Sequence, residues 1–130
     1  MSYQHALQTL QWSTHIEVDE PDGSTYFDGT DFEPSKELEQ RLLTDWENFQ
    51  AQAIESGFDP EKHRITYIDL SEGDYWDYAA HDFILTRNGH GAGFWDGDWS
   101  EPIATKLTEL CEKFGEINIY LSDENLLEAY

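Results

Sequence analysis

The stretch His81-Asp82-Phe83-Ile84-Leu85-Thr86-Arg87-Asn88-Gly89-His90-Gly91-Ala92-Gly93-Phe94-Trp95-Asp96 decides how the rest of the chain is read. Phe83 and Leu85 alternate with Asp82, Ile84 and Thr86, a period-2 pattern that predicts a strand with one buried face. Asn88-Gly89 is a strong hairpin signal, because both residues tolerate the positive φ of a type I′ turn. Gly91 and Gly93 leave the returning strand bare at two alternate positions, which marks a bulge or the close approach of a ring or backbone. Residues 81–96 are therefore expected to form a β-hairpin at the structural centre. Phe83, Leu85 and Phe94 or Trp95 are expected to pack on helices.

The flanks supply those helices. Leu38, Leu42, Trp46, Phe49 and Ala53 recur at three- and four-residue spacing and predict a helix over 36–56. Ser35 is its N-cap and Gly57 its stop. After the hairpin, Ser100 is expected to cap a second helix with Pro102 in its first turn. Ile103, Leu107, Leu110, Cys111 and Phe114 form that helix's apolar stripe, and Gly115 ends it. Residues 117–121 read as a strand, 123–125 as a turn, and 126–130 as a returning strand. Residues 2–12 suit a short helix. Residues 13–34 read as a loop, with turn chemistry at Pro21-Asp22-Gly23-Ser24 and Asp28-Gly29-Thr30-Asp31. Residues 65–70 fit either a strand or the end of a helix. The expected class is α+β: a single domain over 1–130, with an antiparallel sheet of about four strands in two hairpins packed against about three helices.

Charge bounds the function. The chain has 28 Asp and Glu against 7 Lys and Arg, a formal net charge of −21. A compact chain of this length has a radius of gyration of ~14 Å, hence a diameter of roughly 36 Å. Duplex DNA carries about 20 charges over that span. Such self-repulsion weakens the folded state and disfavours direct binding to nucleic acid or anionic membrane. The 15% aromatic content argues for a packed core rather than disorder. No apolar run approaches the ~20 residues of a membrane helix. The N-terminal residues carry neither a basic region nor an apolar signal core. Cys111 is the only cysteine, which suits a reducing cytoplasm and leaves no internal disulfide or cysteine zinc cluster.

Candidate chemistry is sparse. His81, Asp82, His90, Asp96 and Asp98 have the residue types of a metal site. An extended strand, however, would put His90 roughly 20 Å from His81. The acids of 13–34 lack the ordered ligand pattern of a calcium loop and read as a solvated acidic segment. Gly89-x-Gly91-x-Gly93 neither joins a strand to a helix nor precedes a lysine, so it is not a phosphate loop. Cys111 sits in an apolar stripe, where a buried inert thiol is expected. The reading is therefore of a chain with no cofactor and no catalytic residue.

The 81–96 run also resembles the signature of a family of small acidic bacteriophage and plasmid proteins, roughly H-D-F-W-L-T-R-N-G-H-G-A-G-F-W-D. Ile84 stands where that pattern has Trp, and the other fifteen positions match. Leu10-Gln11-Trp12-Ser13 resembles the family's N-terminal leucine-tryptophan-serine segment. Phe114-Gly115-Glu116-Ile117-Asn118-Ile119-Tyr120 resembles its F-G-E-V-D-L-Y strand. The resemblance implies a phage origin and the host cytoplasm, and it assigns no catalytic residue. Together with the charge, it leads us to expect an accessory protein that binds a basic protein surface. The sharpest form is a nucleic-acid mimic occupying the DNA- or RNA-binding channel of a restriction enzyme or CRISPR effector. Asp45, Glu47, Glu55, Asp74, Asp77, Asp96 and Asp98 are the expected acidic face, with Trp76 and Trp99 as aromatic anchors. Rival readings are a structural or morphogenetic phage protein, a surface adapted to high salt, and a metal-dependent enzyme.

Overall fold

The computed structural model describes residues 2–20 and 23–130. Its largest departure from expectation lies in the central stretch, where residues 81–87 are helical and 88–96 form a loop. Helix α4 runs Tyr75–Arg87. It starts in a capping box: Asp74 Oδ1 accepts from Asp77 N–H and Asp77 Oδ2 accepts from Asp74 N–H, each at 2.8 Å. It ends in a Schellman arrangement, with Gly89 N–H donating to Thr86 O at 3.2 Å and His90 N–H to Leu85 O at 3.1 Å. Gly89 has φ +68°. Gly89 thus takes the positive φ expected of it, but Asn88, at φ −92°, does not, and the pair stops a helix instead of turning a hairpin.

The false period has a second cause. Ala79, Ala80 and every residue from Asp82 to Arg87 are buried. A helix buried all round shows no 3.6-residue alternation, so short-range periodicity cannot separate it from a strand. Phe83, Leu85 and Phe94 are buried as expected, whereas Trp95 is exposed. Gly93 marks a close approach: a Cβ there would collide with Thr86 Oγ1 and lie 3.2 Å from Thr86 Cα. The same Thr86 hydroxyl accepts from Phe94 N–H at 3.0 Å. This bond ties the glycine loop back onto α4.

The flanking helices form largely where expected. Helix α1 spans Ser2–Ser13 and buries Ala6 and Leu10. Helix α2 spans Lys36–Glu55, capped by Ser35 Oγ, which accepts from Leu38 N–H at 3.0 Å. A short α3, Pro60–His63, follows. Helix α5 spans Ile103–Phe114 and stops at Gly115, φ +71°. Its start differs from the expected serine cap. Pro102 occupies the cap position without a side-chain bond, and Ser100 contributes its carbonyl to Ala104 N–H. The Glu101 carboxylate accepts from Thr105 N–H at 2.8 Å.

The segment expected to be a loop, 13–34, holds strands β1, His15–Glu20, and β2, Gly23–Asp28, paired antiparallel from His15↔Asp28 to Glu20↔Gly23. The turn residues Pro21 and Asp22 lie outside the described residues. A 3-10 turn, Gly29–Asp31, then leads into β3, Glu33–Pro34. Residues 65–70 form neither strand nor helix; only Arg64 pairs, in an isolated bridge to Trp99. Strands β4, Ile119–Leu121, and β5, Leu126–Ala129, make the expected C-terminal hairpin. The class is α+β, but the single four-stranded antiparallel sheet is replaced by two small ones. These are β1-β2 and the three-stranded β3-β5-β4, in which β3 runs parallel to β5.

One aromatic cluster joins the helices. Phe49 stacks on Phe83 at 4.5 Å between ring centres and on Phe94 at 5.7 Å. Phe114 meets Phe83 edge-on at 5.4 Å, and Phe58 meets Trp99 at 5.4 Å. These stacked and edge-on geometries are those that the ring quadrupoles favour.

Candidate functional site

The charged residues of the central stretch are used internally. Arg87 is buried, donating from Nε to Gly115 O at 2.8 Å and from a terminal nitrogen to Phe114 O at 3.1 Å. It thereby satisfies carbonyls left over at the end of α5. Its other terminal nitrogen pairs with Asp45 at 3.0 Å. Burial pushes the Arg87 pKa down, and the Asp45 carboxylate opposes that shift. Next to it, Asn88 donates to Ile117 O at 3.1 Å and accepts from Ile117 N–H at 2.7 Å, which fixes the chain leading to β4.

Asp82 plays a matching role at the other side of α4. Its Oδ2 accepts from Trp99 Nε1–H at 2.6 Å, and its Oδ1 lies 3.0 Å from His81 Nδ1. Arg64 reaches to 3.8 Å of Oδ2, with its guanidinium 4.8 Å over the Trp99 ring and 5.1 Å over Tyr78. Cation–π contact of this kind holds a desolvated guanidinium against aromatic faces. Two of the seven cations are thus drawn inside.

The expected acidic face divides accordingly. Glu47 and Glu55 are exposed on α2, but Asp45 is committed to Arg87. Asp74 and Asp77 form the α4 capping box. Asp77 is buried and also lies 3.3 Å from His5 Nδ1. Asp96 is exposed and accepts from Gly93 N–H at 3.2 Å. Asp98 is half-buried and accepts from Thr66 Oγ1 at 3.1 Å. Of the two expected anchors, one is buried and the other half-buried. Trp99 is 2% exposed, and Trp76 packs against Trp46 and Phe58. Trp12 and Trp95 are the open tryptophans among the described residues.

The remaining acids sort by position. The exposed Lys and Arg residues are Lys36 and Arg41 on α2, Lys62 on α3, and Lys106 and Lys113 on α5. Residues 1–35 contain seven acids and no Lys or Arg. Residues 65–105 contain eight acids, with the buried Arg87 as their only cation. These two stretches supply most of the uncompensated charge. Two of their acids have lowered pKa values: exposed Asp28 through the Thr30 hydroxyl and then its N–H, and half-buried Asp69 through Ser71 in the same order.

A cleft of about 240 Å³ is lined by His5, Glu72, Asp77, Tyr78 and His81. Both His5 ring nitrogens face acceptors there, Asp77 Oδ1 and Glu72 O. The contacts fasten α1 to the start of α4. Among the described residues, no three His, Cys, Asp or Glu side chains gather to hold a metal ion. Cys111 is fully buried, and desolvation pushes its thiol well above the ordinary range. Among the described residues, no helix is long and apolar enough to cross a membrane. No protein-family model, curated protein or solved structure matches the chain.

Proposed function

We propose that this chain is a phage accessory protein that binds a basic protein surface through its acidic exterior, as a nucleic-acid mimic. Carboxylates stand in for phosphates in the binding channel of a host restriction or CRISPR complex. One observation carries the reading: of only seven cations, Arg64 and Arg87 are drawn into the interior, and the other five sit on α2, α3 and α5. The stretches 1–35 and 65–105 are left without an exposed Lys or Arg among the described residues. An arrangement of that polarity steers association with an opposite field. The proposed acidic face therefore moves away from Asp45 and α2 towards Asp28, Asp31, Glu33, Asp69, Glu72, Asp74 and Asp96.

The test uses purified restriction and CRISPR effector complexes bound to fluorescent duplex DNA. Adding the protein should release DNA from at least one of them, less effectively as salt rises. DNA binding that is indifferent to the protein across the whole panel refutes mimicry.

A further inference from the structure

Among the described residues seven large apolar side chains are exposed, and three of them, Ile65, Tyr67 and Leu70, fall within six consecutive positions. Ile65 and Leu70 are each 62% exposed and Tyr67 is 89% exposed. Single exposed apolar residues are ordinary, whereas a local group of them marks an interaction surface. The segment is not slack. Ile65 N–H donates to Asp98 O at 3.0 Å, and Thr66 Oγ1 donates to Asp98 Oδ1. Beyond Tyr67, Ile68 is buried, and the Tyr78 hydroxyl accepts from Asp69 N–H at 3.0 Å and donates to Asp69 O at 3.2 Å. The loop is pinned on both sides of an outward tyrosine.

Its surroundings are mostly acidic. Asp69 lies in the loop, Asp98 supports it and Glu72 and Asp74 follow it; of the nearby cations, Arg64 has only 9% of its side chain exposed and Lys62 is exposed on α3. An apolar centre with a charged rim is the anatomy of a protein interface, and tyrosine is a preferred anchor in one. The net charge of −21 opposes both a second copy of this chain and an anionic membrane as occupant.

We propose that residues 65–70 dock a protein partner offering an apolar pocket bordered by lysines or arginines, with Tyr67 as the anchor. This rests on the reading of a basic partner given above and supplies its aromatic contact.

The probe is a helical peptide of roughly 18 residues built from Lys and Leu with one apolar face. Oligolysine of equal charge is the control. Tyr67→Ala, which removes an exposed side chain, should keep the native circular dichroism. It should weaken Lys/Leu peptide binding by about tenfold or more. Oligolysine binding, and peptide binding by Ile54→Ala, should stay unchanged. Wild-type affinity in Tyr67→Ala, with binding still salt-sensitive, overturns the anchor and leaves the acidic reading standing. A Tyr67-dependent peptide alongside a silent nuclease panel supports the surface and removes the mimic. Failure of the Lys/Leu peptide to bind overturns the surface.

Discussion

Replacing each of Gly89, Gly91 and Gly93 by alanine separates the observed loop from a hairpin. In a hairpin, Gly91 and Gly93 would share one face of a strand, and their replacements would cost similar amounts. In the structure they differ sharply. A Cβ at Gly93 would collide with Thr86 Oγ1 and crowd Thr86 Cα, and its φ of +152° is strained for any L side chain. Backbone strain of about 1–3 kcal/mol and overpacking of about 1–3 kcal/mol combine to a loss of roughly 2–6 kcal/mol. Gly89 has open space but φ +68°, so alanine there should cost about 1–2 kcal/mol. Gly91 has nothing within 4 Å of its added Cβ and no positive φ, so alanine there should cost less than about 0.5 kcal/mol. Urea unfolding followed by tryptophan fluorescence reads all three. At roughly 3–5 °C per kcal/mol for a chain of this length, Gly93→Ala should melt about 6–30 °C lower. Gly93→Ala and Gly91→Ala within about 0.5 kcal/mol of each other would refute the packing of this loop on α4.

Asp82→Ala strands the buried Trp99 N–H and takes the carboxylate away from Arg64, and should cost about 3 kcal/mol in urea melts; a wild-type midpoint would show that the contacts carry no weight. Cys111 has a raised folded-state pKa, so it favours the fold fully below the unfolded value of ~8.5 and loses that contribution as pH rises towards the folded value. Stability between about pH 7 and 10 should therefore fall less steeply in Cys111→Ala than in wild type, and parallel profiles would contradict the burial argument. Asp45→Asn should lower the melting temperature, because Arg87 loses its partner, and Glu47→Gln should not; equal shifts would show that the Arg87 pair is not structural. In any complex formed through the acidic exterior, Glu47→Gln should change affinity less than about twofold while added salt slows association; salt-independent association rates would argue against charge steering.

Several features were legible in the chain alone, because neighbouring residues determine them. The apolar stripe and caps of α2, the stop of α5 at Gly115, the C-terminal hairpin and the burial of Phe83 and Phe94 belong to this group. So does the positive φ of Gly89. What Gly89 terminates was not legible, because a type I′ turn and a Schellman stop both put the glycine at positive φ and differ at Asn88, which is at φ −92°. The capping pair Asp74 and Asp77 was the available sign of a helix start, but its pattern is short and common in an acid-rich chain. Helix α4 lost its period because α1 and α5 pack along it and Phe49 of α2 stacks on its Phe83, a circumstance set by residues distant in sequence. The same long-range packing drew Arg64 and Arg87 inward, spent Asp45, Asp77 and Asp82 on internal partners, and hid Trp99 while leaving Tyr67 open. Composition set the number of charges. Their direction, and hence which face meets a partner, was decided by tertiary structure, because burial depends on every surrounding element.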